Sequence, residues 1–230
     1  MSDLPPVVSM REVVALIGNY PVLAGATLSV ESGEVVLLEG PNGAGKTSVL
    51  RACAGLLPIH RGELRVLGID LVIYRDLLRG VGFLGHQNGL YAELTAEENL
   101  KFYARAIRVP EASIKIALEH MRLSTRIANT RVSKLSAGQR RRVAIAVLLL
   151  SDAKLWLLDE PHAGLDSNSR NIIDAAINVS AANGKTILFA SHERERARSV
   201  ATRIVSIDGG CVQRDVPNLI AKEPETVNVG

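Results

Sequence analysis

Val35-Val36-Leu37-Leu38-Glu39-Gly40-Pro41-Asn42-Gly43-Ala44-Gly45-Lys46-Thr47 is the stretch on which the fold turns. Val35 to Glu39 is an apolar run of strand length, and a glycine-rich loop follows it at once. From Thr47 to Leu56 the pattern is helical. Strand, loop and helix in that order open a βαβ unit. Gly40 to Thr47 satisfies G-x-x-x-x-G-K-[ST] in full. Glycines at these positions let the backbone curl with its amides inward, while the following helix presents its positive end to the same point. In such a loop Lys46 reaches the β- and γ-phosphates of a nucleotide, and the Thr47 hydroxyl can ligate Mg²⁺.

Short strands precede the loop at Val13 to Leu16 and Ala26 to Val30, and another follows at Glu63 to Leu67, with glycine turns at Ser32-Gly33 and Arg61-Gly62. From Leu94 to Leu150 the reading changes to helix: Glu97 to Phe102 and Ser113 to Met121 space their apolar residues helically. Leu155 to Leu158 and Thr186 to Ala190 are buried strands on either side of a helix at Ser167 to Val179, and Ile204 to Ile207 is a last strand before Gly209-Gly210. Alternating strands and helices predict an α/β fold with a parallel sheet. The expected architecture is a P-loop NTPase core with a mostly parallel sheet and an N-terminal antiparallel β subdomain. A helical subdomain at about residues 88–150 is inserted, and residues 1–230 form a single domain.

The 230 residues can bury a sizeable core, and 47% hydrophobic with 22% charged residues is globular composition. A net charge of +3 does not suggest a nucleic-acid binder. The clusters Arg140-Arg141-Arg142 and Arg194, Arg196 and Arg198 read as solvated helix faces. Met1 to Met10 lacks the features of a signal peptide, and Val143 to Leu150 is far short of the roughly 20 apolar residues of a membrane span. A cytoplasmic protein is expected. Cys53 and Cys211 match no zinc or redox spacing and read as reduced, partly buried thiols.

Leu155-Trp156-Leu157-Leu158-Asp159-Glu160 places two carboxylates directly after a buried strand. Ligands of open α/β sheets sit beyond the carboxyl ends of the strands, so both acids should face the phosphate loop. Asp159 suits Mg²⁺, and Glu160 is placed to orient or deprotonate an attacking water. Leu135-Ser136-Ala137-Gly138-Gln139 begins another helix with an S-x-x-Q capping box, and Val143, Ile145, Leu148 and Leu149 give that helix apolar faces. Its small, glycine-containing first turn is a second candidate anion site.

This last segment resembles the signature of ABC ATPases, usually LSGGQ, standing roughly twenty residues before Asp159. Gln87 is similar to the Q-loop glutamine, Gly164-Leu165-Asp166 to the D-loop and His192 to the switch histidine, so the resemblance runs from about Val13 to Gln213. It implies an ATPase in which Gly40, Pro41 and Asn42, Gly43, Ala44, Gly45 and Lys46, with Thr47 and Ser48, hold the phosphates of ATP. It further implies that Thr47, Gln87 and Asp159 hold Mg²⁺, that Glu160 is the base, and that His192 contacts the γ-phosphate and the water. Ser136, Gly138 and Gln139 would act on the nucleotide of a second copy packed head to tail, with Asp166 linking the two sites. Ala137 departs from the usual glycine pair. Ile17 stands near the place of the adenine-stacking aromatic, and the nearest aromatic, Tyr20, is offset by about three residues.

Within this family the resemblance implies a subunit peripheral to the inner face of the cell membrane, working with a separate integral membrane subunit. A soluble assembly ATPase of the iron–sulfur cluster type stays open. Gly85-His86-Gln87-Asn88-Gly89-Leu90, Leu94 to Leu100, the alanine-containing signature and Trp156 to His162 resemble the haem-exporter ATPases of cytochrome c maturation. Drug- and antibiotic-export ATPases share much of the pattern.

Overall fold

The computed structural model describes residues 5–74 and 79–218. The apolar run before the glycine loop is strand β3 (Val35–Glu39), preceded by β1 (Val8–Ile17) and β2 (Tyr20–Val30). After the loop come helix α1 (Lys46–Cys53), strands β4 (Arg61–Val66) and β5 (Ile69–Asp70), one helical turn α2 (Leu71–Tyr74) and strand β6 (Val81–Leu84). Four helices follow, α3 (Ala96–Ile107), α4 (Ala112–His120), α5 (Thr125–Ala128) and α6 (Ala137–Leu150). The chain then alternates through β7 (Leu155–Asp159), α7 (Ser167–Ala182), β8 (Thr186–Ala190), α8 (Arg194–Val200), β9 (Arg203–Asp208) and β10 (Cys211–Pro217).

Among the described residues these strands make two sheets. An antiparallel sheet has the order β2-β1-β4-β5, and a second has the order β10-β9-β3-β8-β7-β6. In the second, β9, β3, β8, β7 and β6 run parallel, and β10 pairs antiparallel at one edge. The α/β class with its antiparallel N-terminal sheet is therefore as the sequence predicts, and α3 to α6 lie between β6 and β7 where the helical insertion is expected.

The period-2 geometry of a strand explains how one sheet serves two cores. Val35, Leu37, Trp156, Leu158, Ile187 and Phe189 pack on one face with α3, α4, α6 and α7. Their sequence neighbours Val36, Leu38, Leu155, Leu157, Leu188 and Ala190 pack on the other face with α1 and the antiparallel sheet. Every residue of β3, β7 and β8 is buried. At about 1.5–3 kcal/mol for each large apolar side chain, this middle layer is a principal source of stability and a rigid base for its loops.

Several elements differ from the sequence reading. Helix α1 stops at Cys53 rather than Leu56, because the Gly55 N–H turns back onto the Ala52 carbonyl (2.9 Å). Strand β1 begins at Val8, and its alternation breaks at an irregularity between Met10 and Val13 where Glu12 is left-handed (φ 48°). Arg140-Arg141-Arg142 is not a solvated face: Arg141 and Arg142 are 5% and 7% exposed. Helix α6 runs through the interior, and its guanidinium groups find backbone carbonyls there. Arg142 Nη1 donates to the carbonyls of Met121 and Arg122, both at 3.2 Å. Of the second cluster, Arg194 is exposed, but Arg196 pairs with Asp174 and Arg198 with Glu39. Cys53 is wholly rather than partly buried, and burial pushes its thiol up to about 12, whereas Cys211 is half-buried. No helix among the described residues is long and apolar enough to cross a membrane.

Candidate active site

The loop between β3 and α1 is shaped by contacts that admit only glycine. A Cβ at Gly40 would stand 2.1 Å from the Ile207 carbonyl oxygen. Gly45, the residue before α1, has φ 109°, and a Cβ there would lie 2.9 Å from the Val22 carbonyl oxygen. Helices α3, α6 and α7 are capped by Thr95, Ser136 and Asp166, but α1 has neither a capping side chain nor an acid in its first turn. Its first N–H groups are thus free to take an anion, with the helix dipole behind them. Lys46 is buried and donates from Nζ to the carbonyls of Gly40 (2.8 Å) and Pro41 (2.9 Å), which lays its ammonium group across the loop. Pro41, Asn42, Gly43 and Thr47 are exposed on the open side, Ala44 is buried and Ser48 is half-buried.

The parallel sheet brings the remaining residues to this loop. Strands β3, β8, β7 and β6 are successive neighbours, and each ends on the same edge. Asp159 is the last residue of β7 and Glu160 the next, while His192 lies two residues beyond β8 and Gln87 three beyond β6. Thr47 Oγ1 donates to the Asp159 carboxylate, 3.0 Å from Oδ1 and 3.1 Å from Oδ2. A hydroxyl and a carboxylate meeting at one point are hard oxygen ligands of the kind Mg²⁺ takes. Gln87 is exposed, with no side-chain hydrogen bond to either among the described residues.

Glu160 and His192 meet directly. Glu160 Oε2 accepts the His192 backbone N–H (3.0 Å), and Oε1 lies 3.2 Å from His192 Nε2. Glu160 is a non-glycine residue at φ 51°, a conformation that costs about 1–3 kcal/mol and so needs support from its surroundings. One support is its own N–H, which donates to the Ala190 carbonyl of β8 (2.9 Å). Behind the site, Glu39 at the end of β3 accepts two bonds from Arg198 of α8, at 2.7 and 2.8 Å. That bidentate pair fixes the start of the phosphate loop against the helix that follows His192.

The capping box at the start of α6 is present in both directions. Ser136 Oγ accepts the Gln139 N–H (3.2 Å), and Gln139 Oε1 accepts the Ser136 N–H (2.9 Å). Ser136 and Ala137 are exposed, whereas Gly138 is buried against Ser169 and Asp166. Asp166 itself caps α7: Oδ1 accepts the Ser169 N–H (2.7 Å) and Oδ2 the Ser169 hydroxyl (3.0 Å). Those bonds hold its carboxyl below the usual carboxylate range, the backbone N–H of Ser169 contributing most. Tyr20 is 80% exposed at the β1–β2 turn, where it pairs with Ile17.

The profile of the family described as ABC transporter matches residues 23–163. The chain belongs to the ABC transporter family. Cytochrome c biogenesis ATP-binding export protein CcmA of Xanthomonas campestris pv. campestris (strain 8004) is 36% identical to it over 209 residues, covering 89% of this chain and 95% of that protein. Nod factor export ATP-binding protein I of Rhizobium meliloti is 35% identical over 208 residues. That match covers 88% of this chain but only 62% of the longer relative. Among solved structures, a dimeric ATP-binding cassette in a post-hydrolysis state, bound to ADP and Pi, is 27% identical with a TM-score of 0.83. The match covers 94% of this chain and 100% of that cassette. This ABC protein is accordingly an ATP-binding, ATP-hydrolysing subunit.

Residues the sequence reading missed also shape this ABC site. Arg141 of α6 reaches the backbone around Asp159 and Glu160. His162 is fully buried behind the same turn, with Nε2 2.8 Å from Asp174 Oδ1 in an approach that is not an aligned hydrogen bond. Asp174 in turn pairs with Arg196. The sequence signal for Arg141 was available: a charged residue three positions after Gly138 is bound to lie inside if the apolar residues of α6 face both ways.

Proposed function

We propose that this subunit drives export by ATP hydrolysis through a membrane-spanning partner on another polypeptide, and that its branch is the haem export of cytochrome c biogenesis. The observation that carries the ATPase chemistry is the convergence of Thr47 with Asp159 and of Glu160 with His192 at one sheet edge. The amides of residues 42–48 and Lys46 bind the phosphates of ATP. Thr47, Asp159 and Gln87 would hold Mg²⁺, whose charge offsets that of the β- and γ-oxygens when bound. Glu160 takes the proton of the attacking water at its carboxylate, and His192, held against Glu160, orients that water and touches the γ-phosphate. Ser136, Gly138 and Gln139 close over the ATP of a second copy packed head to tail, with Asp166 at the junction of the two sites. Residues 1–230 act as one nucleotide-binding domain, held at the inner face of the membrane from the cytoplasm.

The haem branch is supported by the CcmA relative and by the segments Gly85 to Leu90 and Trp156 to His162. The Nod factor relative, of nearly equal identity, supports an exporter of a different cargo as the second reading. On the helical face, Leu94, Phe102 and Ala106 with Glu98, Lys101 and Arg105 line a surface groove. Purification of the tagged protein from gently solubilised native membranes tests the proposal. A small multi-span protein with cytochrome c maturation components is the expected result. A multi-span protein without those components would move the cargo to the second reading, and soluble scaffold proteins alone would overturn the transport role.

A further inference from the structure

We propose that Arg141 is a positioning residue that ties the segment carrying Gln87 to the turn carrying Glu160, so that the carboxylate is aligned only while that segment is docked. The inference rests on Glu160 acting as the base. Arg141 lies in the second turn of α6, the helix whose first turn is the Ser136–Gln139 signature. Its guanidinium is buried, and its five N–H groups meet five acceptors. On one edge, Nη1 donates to the Gly85 carbonyl (2.8 Å) and to Asn88 Oδ1 (3.0 Å), which flank Gln87 in sequence. On the other, Nη2 donates to the carbonyls of Asp159 (2.6 Å) and Glu160 (3.0 Å), and Nε to that of Pro161 (3.4 Å).

A guanidinium is planar and its donors are fixed in a fork, so its two edges cannot move independently. A shift of Gly85 and Asn88 therefore tilts the edge that holds three successive carbonyls around Glu160. Those carbonyls belong to the turn in which Glu160 is forced to φ 51°, and small rotations there swing its side chain relative to His192. Burial lowers the guanidinium pKa to about 10, against the raising effect of Asp159 and Glu160, so Arg141 stays charged at neutral pH. Lysine keeps the charge but concentrates its donors at one atom, and cannot span both groups of acceptors.

The test is steady-state hydrolysis of MgATP by the full chain. Arg141→Lys should lower kcat by roughly 10- to 100-fold, the scale of a misplacement of about 1 Å, while KM stays within about threefold. Asn88→Ala, a change at a half-buried position, should lower kcat by about three- to tenfold at unchanged KM. The double variant should fall no further than Arg141→Lys alone, because both remove one link. Wild-type kcat in Arg141→Lys, or additive losses in the double variant, would overturn the proposal. Should Arg141→Lys fail to fold, Asn88→Ala decides, and unchanged kcat there overturns it. A Glu160→Gln control separates the two readings. Turnover in that variant removes the base on which the proposal rests, whereas inactive Glu160→Gln beside active Arg141→Lys removes the proposal alone.

Discussion

Gly138→Ala probes the join between the signature turn and Asp166. The new Cβ would stand 2.4 Å from Ser169 Oγ and 3.1 Å from both Ser169 Cβ and Asp166 Oδ2. Ser169 is 1% exposed, so its hydroxyl cannot step aside into solvent. Rotating it away breaks its 3.0 Å bond to Asp166, worth about 0.5–1.5 kcal/mol and up to about 3 for a charged acceptor. The crowding that remains costs about 1–3 kcal/mol. Replacing a helical glycine returns at most about 1 kcal/mol. The net expectation is a loss of about 0.5–5 kcal/mol, with a midpoint of about 3 kcal/mol that corresponds to roughly 6–12 °C in Tm for a chain of this size. Urea and thermal unfolding of Gly138→Ala, Ser169→Ala and the double variant measure it. Because Ser169 Oγ is the nearest obstacle, the double variant should be more stable than the sum of the single losses by about 1 kcal/mol or more. A Gly138→Ala protein within about 0.5 kcal/mol of wild type, or strict additivity, would refute the reasoning.

Lys46→Ala should weaken ATP binding by at least roughly tenfold, since a charge-assisted phosphate contact is lost. Unchanged affinity in a fluorescent-nucleotide titration would count against the phosphate-loop assignment. Glu98 closes the capping box of α3, and its carboxyl is held below its ordinary 4.5, chiefly by the Thr95 backbone N–H and then by the Thr95 hydroxyl. A depressed folded pKa means that its stabilisation is complete above 4.5 and is lost as pH falls through the folded value. Urea midpoints of wild type and Glu98→Gln should therefore converge between pH 6 and pH 3, and a constant gap would exclude the box as an acid-sensitive element.

What could be read from the sequence was what is local. Gly40 to Thr47, Asp159-Glu160 and the Ser136–Gln139 box each carry their chemistry within a few residues, and the parallel sheet then sets them on one edge. Strand β3 was legible because its apolar run is unbroken. Strand β6 was not, because Gly82 weakens a four-residue strand; a Cβ there would stand 2.9 Å from Leu148 of α6. Strand β10 lies at a sheet edge and exposes Gln213, Arg214 and Asp215, so it shows no apolar alternation. Arg141 was misread for a related reason. A run of arginines at the start of a helix is read as facing water by default, whereas α6 carries apolar residues on all sides and lies between the sheet and the neighbouring helices, which turns two of the arginines inward. The meeting of Glu160 with His192 joins residues 32 apart and follows from strand order, which composition does not encode.

In the proposed function, this chain hydrolyses ATP from a site completed by a second copy. Glu160→Gln tests it most directly, because the amide keeps the size of the carboxylate and can still accept the His192 backbone N–H while losing the capacity to take a proton. Light scattering during size exclusion with ATP, beside an ATPase assay, should show no turnover and an ATP-dependent dimer. Hydrolysis at the wild-type rate would remove Glu160 from the role of base. A variant that binds ATP tightly, does not turn over and yet stays a monomer would contradict the shared site.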